Sequence, residues 1–348
     1  MKFAILKNEF DDGHENWAHA CKKRGIDFEI IDLTSNTWFE QLQAGTFRHC
    51  LACPPGRQRV FKELYDERAY VIERVSGCFL YPNYREISLH ENKKYLSYWL
   101  KAKKLPHPHT HVFYNRQEAL SFARQATLPL VGKLNIGASG KGVRVLRRRE
   151  ELLSYINSAF STGIRGQWGP NIKMGSYTNR FMKLIREPTR VLKRLGAYRR
   201  DHGELQKGYV ILQDYVEHSH EWRIVRIGKS YFGHQKTKCG DKASGTKGIN
   251  YVLPPAHLLD FVAEICLANN FNSMAIDLFE DGKGGYLINE LQCIFGHVQE
   301  YICEKNGTPG RLVRESCGWR FEEGLFNSNL SYDLRLENAL ALAEKRVT

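Results

Sequence analysis

The chain has 348 residues, of which 42% are hydrophobic and 26% are charged, and its formal net charge is +13. This is the composition of a globular protein with room for two or three domains. No apolar run approaches the roughly 20 residues of a membrane span, and the first residues lack a signal-peptide pattern, so we expect a cytoplasmic protein with no membrane partner. The positive charge predicts an anionic partner: a nucleotide, an acidic peptide, an acidic glycan or nucleic acid.

Nine cysteines are scattered along the chain, and their odd number favours free thiols in a reducing compartment over a disulfide framework. Cys50 and Cys53 form a C-x-x-C pair. The pair has no second pair and no histidine at zinc-finger spacing. A strand that ends before Pro54 is therefore favoured over a redox or zinc site.

The first 89 residues alternate between strand and helix patterns. Apolar runs predict strands at 2–6, 27–33, 48–53 and 78–81, and amphipathic runs predict helices at 17–24, 36–44 and 58–75. This β-α-β-α-β order is typical of an open parallel sheet. Dinucleotide binding is unsupported, because no G-x-G-x-x-G follows the first strand.

A glycine-rich loop lies further along, after predicted helices at 90–104 and 118–126. It joins strands expected at 130–134 and 143–146, and it contains Gly137, Ser139, Gly140, Lys141 and Gly142. Such a loop lets backbone N–H groups approach phosphate oxygens, and Lys141 adds charge. The spacing of a Walker loop is absent, and an ordinary hairpin is the alternative interpretation.

The segment 165–207 is strongly basic. Between Arg165 and Arg200 it has ten Lys or Arg residues against the single acid Glu187, with aromatic residues interleaved. This pattern fits a surface for an acidic substrate or phosphate, a nucleic-acid surface, or a solvated insertion.

Predicted strands at 208–216, 221–227 and 230–236 follow, and Glu221 and Arg223 are expected on one face. A helix is predicted at 255–269. The tail is expected to alternate helix and loop and to end in a helix at 332–345.

The stretch 275–296 reads as a hairpin with a glycine-rich turn at Gly282, Gly284 and Gly285. Side chains alternate along a strand, so Glu290 and Gln292 share a face, and the hairpin can bring Asp277 beside them. Two carboxylates and an amide oxygen suit Mg²⁺, which prefers hard oxygen ligands. Acids on the wet face of an ordinary hairpin are the alternative.

The order and spacing of these stretches resemble the ATP-grasp superfamily, and within it the branch of ribosomal-protein glutamate ligases and related carboxylate–amine ligases. The resemblance covers roughly residues 91–296. It implies an α/β fold that is α+β in its ATP-grasp part. The three parts would be an N-terminal open parallel α/β domain at 1–89, an ATP-grasp lid subdomain at 90–215 and a C-terminal ATP-grasp subdomain at 216–348. In this fold the nucleotide lies between two β-sheets.

The resemblance also implies roles for individual residues. Lys93 would contact the nucleotide, Lys133 would reach the α- and β-phosphates, and the loop 137–142 would close over the phosphates. The hinge would hold adenine and ribose, and it consists of Gln213, Asp214, Tyr215, Val216 and Glu217. Arg223 and Lys236 would stabilise the transferred phosphoryl group, and the metal ligands would be Asp277, Glu290 and Gln292.

The sequence departs from the family pattern at two places. Gln292 stands where the family usually has Asn, and the basic segment 165–207 is longer and more positive than expected.

The implied activity is an ATP- and Mg²⁺-dependent carboxylate–amine ligase that works through an acylphosphate, with Mn²⁺ as an alternative metal. The substrates would be a carboxylate and an amine, with an acidic acceptor such as a peptide or glycan, and a homo-oligomer is compatible with the family. The alternatives are an ATP-grasp kinase acting on an alcohol and a non-catalytic polyanion-binding protein. Retention of Asp277, Glu290 and Lys133 argues against the last of these and against a nucleic-acid partner.

Overall fold

The structure is a computed structural model that describes residues 1–9, 13–137, 142–166, 205–239, 242–243, 248–295 and 299–346. The helices are α1 (His14–Lys23), α2 (Trp38–Ala44), α3 (Arg59–Tyr70, continued by a π-helical turn Val71–Val75), α4 (Tyr84–Leu89), α5 (Lys93–Ala102), α6 (Arg116–Gln125), α7 (Arg149–Phe160), α8 (Ala256–Ala268) and α9 (Tyr332–Glu344, preceded by a 3₁₀ turn Ser328–Ser331). Among the described residues, no helix combines the length and apolar character that a membrane crossing requires.

Strands make up three sheets. They are β1 (Lys2–Lys7), β2 (Asp27–Asp32), β3 (His49–Ala52), β4 (Phe79–Tyr81), β5 (Thr110–Phe113), β6 (Leu130–Lys133), β7 (Val143–Leu146), β8 (Val210–Asp214), β9 (His220–Ile227), β10 (Ser230–Cys239), β11 (Lys242–Ala243), β12 (Ile249–Asn250), β13 (Ser273–Glu280), β14 (Tyr286–Gln292), β15 (Glu304–Lys305), β16 (Thr308–Glu315) and β17 (Gly318–Glu323).

The chain divides into two compact units. The first comprises residues 1–56, 60–108 and 216–348, and the second comprises residues 57–59 and 109–215. The separate assignment of domains at 1–89, 90–215 and 216–348 stays a prediction.

The N-terminal part of the first unit is a four-stranded parallel sheet in the order β2-β1-β3-β4. Residues 3–6 of β1 are all fully buried, as expected for a strand of a parallel sheet covered on both faces. Helix α9 packs with α1 against this sheet, and the Tyr332 ring lies 4.9 Å from the Trp17 ring. The predicted open parallel sheet is confirmed, and the C-terminal helix belongs to its core.

The rest of the first unit is built on a nine-stranded sheet with the order β14-β13-β9-β10-β16-β15, in which β11 and β12 pair with β10 and β17 pairs with β16. Its pairings are antiparallel. The expectation of helix and loop in the tail is wrong for residues 304–323, which form β15, β16 and β17. The β16–β17 hairpin gains its stability by extending the sheet from β10, a contact that local periodicity does not reveal.

The second unit contains a four-stranded antiparallel sheet in the order β5-β8-β6-β7. Helices α6 and α7 supply the other half of its core, through residues such as Ala119, Leu152 and Ile156. Gly132 in β6 is required by this packing, because a Cβ there would lie 2.5 Å from the Tyr155 ring.

Candidate functional site

Four strands of the nine-stranded sheet bring the predicted catalytic and metal-binding side chains together. Asp277 on β13 is paired with Arg223 on β9 and with Glu290 on β14, and Arg223 is paired with His234 on β10. Directly opposed residues in antiparallel strands project to the same face. The register therefore places these four side chains in one row across the sheet.

Asp277 is the centre of a buried ion cluster. Arg223 donates from Nε and Nη2 to the two carboxylate oxygens, both at 2.8 Å, and Lys236 Nζ donates to Oδ2 at 2.7 Å. Lys236 also contacts Glu221 at 2.7 Å. Only 3% of the Asp277 side chain, 11% of Arg223 and 7% of Lys236 are exposed. This bidentate geometry fixes the guanidinium plane and the Lys236 ammonium relative to each other.

The charges in this cluster reinforce one another. Burial alone would raise the Asp277 pKa, but the charges and hydrogen bonds of Arg223 and Lys236 outweigh burial and hold that pKa below its ordinary value. Burial would lower the pKa values of Arg223 and Lys236, yet Asp277 chiefly raises both. All three groups are thus stabilised in their ionised forms.

Gln292 connects this cluster to two further acids, Glu290 and Glu91. Its amide nitrogen donates to Glu290 Oε2 at 3.0 Å and to Glu91 Oε1 at 3.1 Å, and its amide oxygen accepts from Arg223 at 3.2 Å. This amide orientation follows from the hydrogen-bond partners. The nitrogen of Gln292 faces the carboxylates, and a half-turn of the amide would present the oxygen there instead.

Glu91 was not predicted from the sequence. It is buried and has a positive φ of 51°, a backbone conformation that costs energy for a residue with a side chain. Gly56 makes room for it, since a Cβ at Gly56 would lie 2.6 Å from Glu91 Cγ. An acid directly before the helix N-cap Asn92 is the only sequence signal, and it does not reveal the contact with Gln292.

Lys93, predicted to contact nucleotide, forms an ion pair with Glu91. Burial would lower the Lys93 pKa, but the nearby charges of Glu91 and Glu290 raise it. Burial raises the Glu91 pKa, with Glu290 adding to the effect and Lys93 opposing it. These residues line a recess together with Asn92, Leu96 and Gln292.

The donor set fits a magnesium ion held by few protein ligands. Within the described ranges, no group of three or more His, Cys, Asp or Glu side chains is arranged to hold a metal. Glu290 and Glu91 nevertheless approach a common point, because both contact the same nitrogen of Gln292. Mg²⁺ usually takes one or two carboxylates and completes its shell with water and phosphate.

The second unit carries most of the predicted nucleotide-binding residues. Lys133 is buried at the end of β6, and the Gly142 carbonyl accepts a hydrogen bond from Leu134 N at 2.9 Å. Gly137 has a φ of 149° and open space around its Cα. Ser139, Gly140 and Lys141 lie outside the described residues.

The predicted hinge begins in the last two residues of β8, which pairs with both β5 and β6. Gln213 donates to Thr110 Oγ1 at 2.9 Å, the Asp214 side chain is exposed, and the Tyr215 ring lies 5.7 Å from the Arg147 guanidinium. Val216 is half-buried, and the exposed Glu217 side chain contacts Lys238 at 3.2 Å.

Most of the basic segment 165–207, from 167 to 204, lies outside the described residues. Its role as a substrate surface stays a prediction.

Comparison with known proteins identifies the fold. No family model matches the sequence, and no curated protein matches it. Solved structures do match: the ATP-grasp RimK domain protein of Sphaerobacter thermophilus is 15% identical, with a TM-score of 0.52 over 84% of this chain and 90% of that one. D-cycloserine synthetase is 17% identical, with a TM-score of 0.53 over 99% of both chains. D-alanine–D-alanine ligase of Bacillus anthracis, crystallised with ATP, is 12% identical, with a TM-score of 0.52 over 99% of both chains.

These matches span nearly the whole chain, and they agree with the parallel sheet followed by antiparallel sheets described above. The protein therefore has the ATP-grasp fold, as the resemblance of its sequence predicted.

Proposed function

We propose that this protein is an ATP- and Mg²⁺-dependent carboxylate–amine ligase. A carboxylate is a poor electrophile, so it would first take the γ-phosphoryl group of ATP to form an acylphosphate. An amine would then attack the carbonyl carbon, form the amide and release phosphate. The products would be the amide, ADP and phosphate.

One observation supports this proposal most directly: Arg223 and Lys236 are fixed by Asp277 on the same sheet face as Glu290. Fixed cations stabilise charge that develops on a phosphoryl group as it moves, and they need no reorganisation when the reaction occurs. Their burial strengthens the effect, because the surroundings screen charge less than water does. The arrangement thus supports phosphoryl transfer as the first step.

A bound Mg²⁺ ion would supply positive charge that offsets the charge of the phosphates. Glu290 and Glu91 would hold it, with Asp277 as the anchor of the two cations and Gln292 as a ligand if its amide turns. Lys93 would then exchange its contact with Glu91 for the nucleotide, since a bound cation would take over the charge that Lys93 now neutralises.

The remaining roles rest on the resemblance. We propose that Lys133 and the loop 137–142 bind phosphate, and that residues 213–217 bind adenine and ribose. Among the neighbours, one is named as an amino-acid ligase and was crystallised with ATP. With a net charge of +13, the protein suits an acidic acceptor.

Product analysis tests this proposal. The purified protein is incubated with Mg²⁺-ATP, pooled amino acids and acidic acceptors, and the products are analysed by nucleotide chromatography and mass spectrometry. We expect ADP and phosphate in equal amounts, with a new mass that corresponds to loss of water between two substrates. Glu290→Gln should abolish turnover. Glu280→Gln is the matched control, because Glu280 lies on the same hairpin and its side chain is half exposed.

Two results would contradict the ligase proposal. ADP release with a gain of about 80 Da, roughly one phosphoryl group, on an alcohol acceptor would identify a kinase. Absence of nucleotide binding, together with salt-dependent binding to nucleic acid, would identify a polyanion-binding protein.

A further inference from the structure

Arg335 on α9 is a fully buried cation. Its side chain is fully buried, and across the described residues none of its three guanidinium nitrogens has a hydrogen-bond partner. The guanidinium lies 4.6 Å from the Phe295 ring centre and 5.1 Å from that of Tyr332. Aromatic faces attract a cation, but this attraction recovers only part of the cost of removing the charge from water.

Other buried cations of the same unit are neutralised. Lys62 forms an ion pair with Asp66. As described above, Lys93 pairs with Glu91, and Lys236 pairs with Asp277 and Glu221. A buried charge is normally paired because an isolated one is strongly unfavourable. Among the residues that the structure describes, Arg335 has no such counter-ion.

A second buried polar group lies in this region. Among the described residues, His90 Nδ1 also has no hydrogen-bond partner. An imidazole N–H can donate one hydrogen bond, and a guanidinium can donate several.

Both groups are connected to the candidate magnesium site. His90 directly precedes Glu91, and Phe295 follows Gln292 by three residues. Glu91 and Gln292 are hydrogen-bonded to each other at 3.1 Å. The chain segment that carries His90 and the segment that carries Phe295, which contacts Arg335, thus meet at the predicted site of phosphoryl transfer.

We propose that Arg335, assisted by His90, binds a carboxylate group of the substrate that is not consumed in the reaction. This inference rests on the proposed ligase function. A guanidinium offers two parallel N–H donors that match a carboxylate. One buried positive charge is balanced by one negative charge, so a monoanionic carboxylate fits better than a phosphate dianion.

This assignment defines the class of substrate. A carboxylate paired with arginine is a weaker nucleophile toward ATP, so the group at Arg335 would be an anchor rather than the reacting group. The substrate would therefore carry a carboxylate that is not activated, as an amino acid used as the amine or a dicarboxylic acid used as the acyl donor does. Since the guanidinium is fully buried in this structure, binding would include displacement of the side chains that cover it.

Thermal unfolding without nucleotide tests the inference. Wild type, Arg335→Met and Arg335→Lys are compared in buffer with L-glutamate, succinate, inorganic phosphate or chloride. We expect the two carboxylates to stabilise wild type, and their apparent affinity to fall about tenfold or more in both variants. Without an added anion, Arg335→Met should be at least as stable as wild type, because it removes an unpaired buried charge. Arg346→Met is the control for loss of one exposed positive charge.

The outcomes separate this inference from the ligase proposal. If no carboxylate stabilises wild type and Arg335→Met is the less stable protein, Arg335 is a packing residue and the inference is wrong. Stabilisation by phosphate alone would also overturn it. Retained Mg²⁺-ATP binding by Arg335→Met would leave the ligase proposal standing in either case. If Arg335→Met does not fold, Arg335→Lys keeps the charge without the paired donors and supplies the same comparison.

Discussion

Replacement of Asp277 by Asn should destabilise the protein before any ligand is added. The change keeps the size of the side chain but removes the charge that neutralises Arg223 and Lys236. An Asn amide also presents N–H groups toward one of these cations, so at least one of the three hydrogen bonds is lost. Glu221 remains for Lys236, and the Gln292 oxygen remains for Arg223.

Removal of one partner from a buried ion pair costs about 3–5 kcal/mol, because the other charge stays buried. We expect Asp277→Asn to lower the free energy of unfolding by that amount. Glu290→Gln is the comparison, since Glu290 is only half-buried and accepts one hydrogen bond from Gln292, which glutamine can also accept. Its expected cost is below about 1 kcal/mol. Both variants should lose Mg²⁺-ATP turnover.

Urea denaturation followed by tryptophan fluorescence measures this difference. Five of the six tryptophans lie in the first unit, which contains Asp277, so the signal reports mainly on that unit. The reasoning is refuted if Asp277→Asn is within 1 kcal/mol of wild type, on the order of one ordinary hydrogen bond. In that case Asp277 would be a metal ligand without a structural role in the cluster.

Two further predictions concern the pH dependence of stability and the packing of Gly56 against Glu91. Because the folded-state pKa of Asp277 lies below its ordinary value, its stabilising contribution should be complete above about pH 4 and should be lost as pH falls further. In urea titrations between pH 2 and 7, the difference in stability between wild type and Asp277→Asn should begin to narrow below about pH 4 and narrow further toward pH 2. A constant difference would contradict this. Gly56→Ala should displace Glu91, cost about 1–3 kcal/mol through overpacking and weaken Mg²⁺-ATP binding. Calorimetric unfolding measures the loss of stability. In a Glu91→Ala background, Gly56→Ala should cause a much smaller loss, because most of the clash is absent there.

The structural features that are set by residues close together in the sequence could be predicted from the sequence. The alternating strands and helices of the first 89 residues specify a parallel sheet, because each β-α-β step is decided by local hydrophobic periodicity. Asp277, Glu290 and Gln292 lie within one hairpin, so strand alternation alone predicts that they converge.

Contacts between residues that are far apart in the sequence were decided by the tertiary structure. Glu91 meets Gln292 across 201 positions, and this contact depends on how α5 approaches β14. The strands at 304–323 form because β10 offers an edge for pairing, whereas their own sequence reads as loop and helix. Arg335 follows the pattern of an ordinary surface helix, and only its packing between Phe295 and Tyr332 shows that it is buried. Periodicity reports which face of an element is apolar, but the partner that covers each face is selected by the packing of the whole chain.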